Sequence, residues 1–461
     1  MGEHTFRVAV VGAGAAGTLT ATRLLEKAHE AGARVTVTLV DPAPGTGRGV
    51  AYATQDPRHL LNVPAGRMSG HPDRPDDFVR WLGEHEARTV GAGEFAPRGA
   101  YGAYLAAGLD EAVARCGAGA LRRVRDRAVR LSGPDGGAAQ RVGLGSGAVV
   151  DADAVVLALG LAAPGLGWAP ERLREHEHFV SDPWRPGALD RVPADADADV
   201  LLVGTGLTAC DLALTLARPG RTVHAVSRHG LVPYAHAEKP AASGPLPAPP
   251  AVADLAGLRR WLAVRAAYHR RVHGDWRPAV DELRPHTTAL WQGLPAAERD
   301  RFLSDDLRLW EVLRHRLPPR TAAALDAARQ SGQVTVRAGG LADAEPSPEG
   351  VRVRFADGGA RCFGAVVNCT GAEASVRRSD DPLVKDLLAT GAARPGPHGL
   401  GLDTAPDGRL VPADGGARRP VWTLGSPRRG NLWETTAIPE IRAQAIQLAV
   451  SLTEECSRII P

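Results

Sequence analysis

The sequence predicts an α/β protein made of two Rossmann-like dinucleotide-binding domains with a helical insertion. Three observations carry this. A glycine fingerprint, Gly12-Ala13-Gly14-Ala15-Ala16-Gly17, follows the apolar run Arg7–Val11, and a second, Gly204-Thr205-Gly206-Leu207-Thr208-Ala209, follows Asp199–Val203 in mid-chain. Beyond the second, Leu255–Arg329 is helical in pattern, with Trp261, Trp276, Trp291 and Trp310 interspersed. In each fingerprint the first glycine makes the tight strand-to-helix turn and the second lets backbone approach a pyrophosphate. The third, or an alanine, lets helix pack on strand. The pyrophosphate then faces the unpaired N–H groups of the helix N-terminus. One such fingerprint is often only a turn. Two, each between a β-branched run and an amphipathic stretch, predict two dinucleotides in one chain.

The elements follow in order. After the first turn come a helix-like Thr18–Ala31 and a second strand, Arg34–Val40, ending at Asp41. An acid at that position accepts from ribose hydroxyls; the alternative is a turn or helix-capping aspartate ahead of Pro42. Ala154–Leu159 closes on Gly160, and Ala365–Thr370 closes on Gly371 in the same form. That repetition predicts a discontinuous first domain, residues 1–194 and 336–461, interrupted by a second domain at 195–335 whose helical insertion spans about 251–330. Within the second domain Lys239–Pro250 is rich in Pro, Ala and Ser and reads as an extended linker. The four tryptophans fit either a lid or ordinary core.

The two units differ where the cofactor is chosen. The strand Thr222–Val226 runs into Ser227-Arg228-His229, with no carboxylate where Asp41 stands in the first unit. An acid would repel a 2′-phosphate, whereas an arginine beside a hydroxyl donates to it. NADPH is therefore expected at the second site, the alternative being an exposed loop arginine. FAD, the common partner of NADPH in such chains, is expected at the first. Near the C-terminus Val421–Gly425 reads as another strand ending in glycine, and Thr435-Thr436-Ala437-Ile438-Pro439-Glu440 leads into an apolar-periodic helix through about Leu452. Pro439 suits the first helical turn. The helix would aim its positive end at a reduced flavin, or simply dock.

Bulk properties narrow the class. A chain of 461 residues with 44% hydrophobic content exceeds one core. A formal charge of +3 gives no field suited to nucleic acid as the main ligand. Cys116, Cys210, Cys362, Cys369 and Cys456 form no C-x-x-C and no metal-ligand cluster, which argues against dithiol chemistry and metal. The odd count, with the first strand beginning almost at the initiator, points to a cytoplasmic protein. No apolar stretch approaches the roughly 20 residues that a membrane span needs. Phe6 stands where myristoylation of Gly2 would want Ser or Thr. Oligomeric state is not readable.

Several segments, Gly45–Tyr52 with Leu61–Pro64, Phe95–Arg98 with Tyr101 and Tyr104, Val203–Asp211, Ser227–Pro233 with His236, and Gly430–Arg442, resemble the FAD/NAD(P)-binding family of bacterial flavoproteins. The resemblance spans nearly the whole chain, and the family is distantly similar to flavin-dependent N-hydroxylating monooxygenases. It implies that Gly12, Gly14, Gly17 and Asp41 bind FAD, with the loop containing Gly49 and Tyr52, and Asn62, lining the flavin side. Gly425 and the segment of Glu434, Thr435 and Pro439 would close over the isoalloxazine. Gly204, Gly206, Thr208 and Arg228 would hold NADPH. The Baeyer–Villiger pattern is not met: His178–Trp184 lacks its later glycine and histidine.

The activity so implied is FAD- and NADPH-dependent monooxygenation, N-hydroxylating the amine of a small amino acid or related metabolite through a C4a-hydroperoxyflavin, with molecular oxygen as co-substrate. The site must exclude water. The candidate catalytic residues are His236, for proton handling at the cleft, against a merely local hydrogen bond, and Asn62 on the flavin side. Arg67, Arg98, Arg314 and Arg429 are candidates for a substrate carboxylate, as is Arg428. Arg314-His315-Arg316 is the densest basic patch of the insertion, or else a solvated helix end. A flavoprotein reductase or dehydrogenase and a non-catalytic redox sensor are the other readings.

Overall fold

The computed structural model describes residues 5–133, 139–194, 198–238 and 254–459; the linker expected at 239–250 lies outside them. In chain order the elements that place the site are β1 (Phe6–Val11), α1 (Ala15–Glu30), β2 (Val35–Val40), α2 (Asp77–Glu86), α3 (Arg98–Cys116), β3 (Leu121–Val124) and β4 (Ala154–Leu157). They continue as β5 (Phe179–Val180), β6 (Val200–Val203), α4 (Leu207–Leu216), β7 (Val223–Ser227), β8 (Val334–Ala338), β9 (Ala365–Asn368), β10 (Val421–Thr423) and α5 (Ile438–Ile459).

The chain divides into two compact units, residues 1–162 with 373–461, and residues 163–372. The first holds an all-parallel sheet of order β10-β4-β1-β2-β3. Phe6, Val8 and Val10 face a core shared with α1, α3 and α5, while Ala9 and Val11 face the small antiparallel sheet Ala128–Ser132, Gln140–Leu144 and Val149–Ala152. Both faces are covered, which is why these strands read as unbroken apolar runs.

The second unit repeats the plan with a parallel sheet of order β8-β7-β6-β9-β5. Val200 and Leu202 pack with α4 and the helix Pro319–Gln330; Leu201 and Val203 pack with the antiparallel strands Leu341–Ser347, Gly350–Phe355 and Ala360–Phe363. Helices fill Leu255–Gln330, and of the four tryptophans Trp291 and Trp310 are buried.

Sequence spacing puts the divisions at 194/195 and 335/336, whereas the structure puts them at 162/163 and 372/373. The reason is pairing. Val200 to Val203 of β6 lie opposite Ala365 to Asn368 of β9, whose Val366 in turn lies opposite Phe179 of β5. A short apolar strand ending near glycine looks the same in either sheet until its ladder partner is known. Ala154–Leu157 thus serves the first sheet and Ala365–Asn368 the second. Among the described residues no helix is long and apolar enough to cross a membrane.

Candidate functional site

Each unit builds the same turn from the same constraints. Gly12 has φ of +103° and a Cβ there would overlap the Ala158 carbonyl at the end of β4; Gly204 has φ of +117° and a Cβ would overlap the Cys369 carbonyl after β9. The Gly12 N–H donates to the Val40 carbonyl at 2.8 Å and the Gly204 N–H to that of Val226 at 2.7 Å. These first glycines are demanded by the protein itself. The third positions differ: a Cβ on Gly17 would overlap the Gly12 carbonyl, while Ala209 is accommodated and buried.

The second glycines are different in kind. Gly14 and Gly206 cap α1 and α4 in extended conformation, at φ of −69° and −78°, which any residue adopts. A Cβ on Gly206 would meet nothing within 4 Å, and one on Gly14 would make only an ordinary 3.4 Å contact with the Gly49 Cα. Packing does not require glycine there. The open space lies at a helix N-terminus, where a pyrophosphate is held by backbone N–H groups. These residues therefore fit a dinucleotide in each unit.

Register shows which residues of the two units correspond. Val40 lies opposite Val11, and Val226 opposite Val203, so Asp41 and Ser227 occupy equivalent places. Asp41 is held by two backbone donors, Ala13 N–H to Oδ2 at 2.7 Å and Ala43 N–H to Oδ1 at 2.7 Å. Each oxygen keeps a further lone pair for a ribose hydroxyl. Ser227 is used internally: its Oγ lies 2.8 Å from Thr205 Oγ1 and accepts from Gly230 N–H at 3.1 Å. The next residue, Arg228, is exposed and has no side-chain partner among the described residues. Thr208 accepts from Trp184 Nε1 at 3.4 Å.

The loop after β2 folds back over the first turn. Gly47 N–H lies 2.9 Å from the Ala13 carbonyl and 2.8 Å from Thr18 Oγ1, with φ of +78°. Gly49 and Tyr52 form a single helical turn, and Tyr52 packs edge-on against Tyr101 at 4.9 Å between ring centres. Asn62 follows the Leu60–Pro97 bridge, which brings the His59 segment to the start of α3, where Arg98 stands. Burial, then the Arg98 charge, hold the His59 imidazole down at about 4, with Asp56 opposing. Arg67 is exposed in the turn after Pro64.

The C-terminal end of β10 is closed by a polar network. Gly425 N–H donates to Gln444 Oε1 at 3.1 Å, Gln444 Nε2 to Thr435 Oγ1 at 2.8 Å, and the Thr435 hydroxyl to the Gly425 carbonyl at 3.1 Å. Arg428, 4% exposed, donates to the Pro406 carbonyl at 2.9 Å and more loosely to Ala405, Thr404 and Gln444. Burial pulls its pKa down, with only Asp407 opposing. Arg428 is thus a buried pin, not a free binder of substrate carboxylate. Arg429 stacks over Trp433 at 4.6 Å, and Glu434 precedes buried Thr435. Pro439 lies in the first turn of α5, which continues well beyond Leu452 to Ile459.

In the second unit β7 ends at Ser227, and His236 lies beyond it, after Pro233. The strap Tyr234–His236 pairs with Leu317, His236 N–H donating to its carbonyl at 2.9 Å. Trp276 packs against Tyr234, Arg277 and Arg316. The basic patch is not one solvated end: Arg314 ends a helix, but Arg316 is buried and bonds Asp281 at 3.0 Å.

Residues 9–162 match the FAD-NAD(P)-binding family. This FAD-NAD(P)-binding domain runs from β1 through β4 and contains Gly12, Gly14, Gly17 and Asp41. No curated protein matches the chain in sequence. Among solved structures, the ornithine hydroxylase of Pseudomonas aeruginosa is 16% identical with a TM-score of 0.65, covering 98% of this chain and 99% of its own. The L-lysine 6-monooxygenase of Pseudomonas syringae is 16% identical with a TM-score of 0.64, covering 98% and 100%. An ornithine N-hydroxylase from Kutzneria, solved with reduced FAD, NADP+ and L-ornithine, is 16% identical with a TM-score of 0.62 over 98% and 100%. The fold that continues from the FAD-NAD(P)-binding domain through the rest of the chain is theirs.

The fingerprints and Asp41 were legible from spacing. Sequence reading places Gly47 in the Gly45–Tyr52 segment without singling it out, and misses Thr18, Gln444 and the pairing of Thr205 with Ser227. A signal existed for the first, since Gly45, Gly47 and Gly49 alternate over five residues. Gln444 lies inside a helix with nothing local to mark it.

Proposed function

We propose that this chain is an FAD- and NADPH-dependent monooxygenase that N-hydroxylates the amine of a small amino acid or related metabolite. One amine, one oxygen molecule, NADPH and a proton give the hydroxylamine, water and NADP+. The observation that carries the reading is the pair of second glycines, which packing leaves optional and a pyrophosphate would demand, together with Asp41 in one unit and Arg228 in the other. Full-length likeness to solved hydroxylases of ornithine and lysine supports the choice among flavoenzymes.

Reduced FAD supplies the oxygen activation when bound. Gly12, Gly14, Gly17 and Asp41 hold and orient it, and the Gly45–Tyr52 loop with Asn62 shields its side from water. The N-terminus of α5, braced by Thr435 and Gln444, offers a positive end to reduced flavin. Arg228 takes the 2′-phosphate of NADPH. His236 handles the proton, and Arg67, Arg98, Arg314 and Arg429 are the carboxylate candidates. The test is anaerobic reduction of FAD-loaded protein by NADPH and by NADH, followed by mixing with oxygen in a stopped-flow spectrometer. Preferential reduction by NADPH and a persisting spectrum distinct from oxidised and reduced flavin are expected. Immediate return to oxidised flavin with peroxide release, unchanged by any amine, would make it a reductase or dehydrogenase instead.

A further inference from the structure

A concavity of about 200 Å³ lies in the first unit, between α1, α2, α3 and the loop at residues 70–74. It reaches α1 at Leu19 and Arg23, beyond the fingerprint turn, and so is separate from the flavin side. One wall is basic. Arg23, largely buried, places Nη1 2.8 Å from His71 Nδ1, and the exposed Arg74 places Nη2 2.5 Å from both His71 ring nitrogens. A neutral imidazole has one acceptor nitrogen for two guanidiniums. The carboxylates nearby are already shared: Glu26 takes Arg23 and Arg115, while Asp77 takes Arg74, Arg80 and the Tyr104 hydroxyl. Burial first, then Arg23 and Arg74, hold His71 down at about 4 against Asp77 and Asp73, so it stays neutral and adds no further positive charge.

The mouth has the opposite character. Glu84 on α2 and Glu111 on α3 line it, exposed, with no side-chain partner among the described residues. Trp81, three residues before Glu84, shares its helix face and offers an aromatic surface to an aliphatic or cationic group. Gly108 leaves the α3 wall open, since a Cβ there would meet nothing within 4 Å.

We propose that this cavity binds a small amino acid as a zwitterion, its carboxylate toward Arg23 and Arg74 and its ammonium toward Glu84 and Glu111. A simple anion would pass two unpaired carboxylates to enter. A simple cation would leave the guanidiniums of Arg23 and Arg74 with no more than the carboxylates they already share with other arginines. The volume falls below the roughly 300–1,000 Å³ of pockets for drug-sized ligands, which suits a metabolite of few atoms. The inference is independent of the N-hydroxylase reading.

Calorimetric titration of the FAD-loaded full chain with each proteinogenic amino acid and L-ornithine tests it, with cadaverine and glutarate as controls that carry one kind of charge. Saturable binding of at least one amino acid is expected, with the controls weaker by about tenfold or more, as befits loss of a charge-assisted hydrogen-bonded end. Gly108→Leu fills the cavity and abolishes this binding; it should fold, because glycine is a poor helix former and the added side chain enters open space. Glu84→Gln with Glu111→Gln weakens it. Flavin reduction by NADPH is unchanged in both variants. Absence of saturable binding across the panel overturns the proposal. So does binding that survives Gly108→Leu, which would place the amino acid elsewhere and leave the N-hydroxylase reading standing.

Discussion

Gly204 and Gly206, two residues apart, make opposite predictions for alanine substitution. At Gly204 the backbone stands at φ of +117°, and a Cβ would overlap the Cys369 carbonyl at the end of the neighbouring strand. An L-residue in positive-φ space costs about 1–2 kcal/mol before any clash is counted. Because the obstructing atoms are backbone in a parallel sheet, relief requires moving β6 against β9, so Gly204→Ala should lose about 3 kcal/mol or more in all. At Gly206 the backbone is at φ of −78° with open space before it, and the worse N-cap preference of alanine costs about 0.5–1 kcal/mol. The added methyl instead occupies the surface that a pyrophosphate would approach. Gly206→Ala should therefore melt within about 4 °C of the parent yet bind NADPH about tenfold or more weakly, a change of about 1.4 kcal/mol. The assays are circular-dichroism melting and NADPH titration followed by flavin reduction rate. A Gly206→Ala protein that binds NADPH within a factor of two of the parent would refute the reasoning, because neither packing nor ligand would then explain the glycine.

Arg228→Ala should cost NADPH about tenfold to a hundredfold in kcat/KM for flavin reduction while leaving NADH nearly unchanged, the worth of a charge-assisted phosphate contact; equal losses for both nucleotides in steady-state kinetics would count against a 2′-phosphate role. Asp41→Ala should weaken FAD about tenfold or more, since it removes both the ribose acceptor and the 2.7 Å brace on the Ala13 N–H, and equilibrium dialysis of flavin measures this. For Arg428→Met, Ala405 still receives Gly408 N–H and Gln444 still receives Gly425 N–H, so Pro406 is the acceptor left orphaned. That predicts a loss of about 1–3 kcal/mol, a Tm drop of roughly 2–12 °C for a unit of this size, with unchanged melting as the contrary result. Burial keeps His59 neutral in the fold down to about pH 4, whereas an unfolded histidine protonates near 6.5. The unfolded state therefore binds more protons between those values, and stability should fall by about 1–3 kcal/mol as pH drops from 6.5 to 4. Denaturant titrations across that range should show a shallower slope in His59→Asn.

How much was readable from the sequence follows from how local each cause is. The fingerprints, β1, α1 and Asp41 are legible because their constraints act within one βαβ unit. The unit boundaries are not, because whether Ala365–Asn368 joins one parallel sheet or the other is decided by a ladder with Val200–Val203, far away in sequence. Arg428 shows the same limit in reverse. Its place among motif-like residues suggests substrate, yet its four acceptors come from a hairpin and a helix that sequence reading cannot bring together.

On the proposed reading, the opposite chemistry of the two nucleotide sites follows from one equivalent position. In the first unit the residue after the second strand is an acid, and its oxygens are aimed by the N–H groups of Ala13 and Ala43, so its remaining lone pairs point in fixed directions. In the second unit that residue is Ser227, whose hydroxyl is spent on Thr205 and Gly230, bracing the same turn without presenting a charge. The carboxylate's bracing task is thus kept and its repulsion of phosphate removed, which leaves the neighbouring Arg228 as the exposed charge there. An acid placed there by Ser227→Asp would keep a brace on the turn and add the repulsion. The selectivity of the second site should then move toward NADH even with Arg228 intact, which Arg228→Ala alone does not achieve by gain of NADH binding.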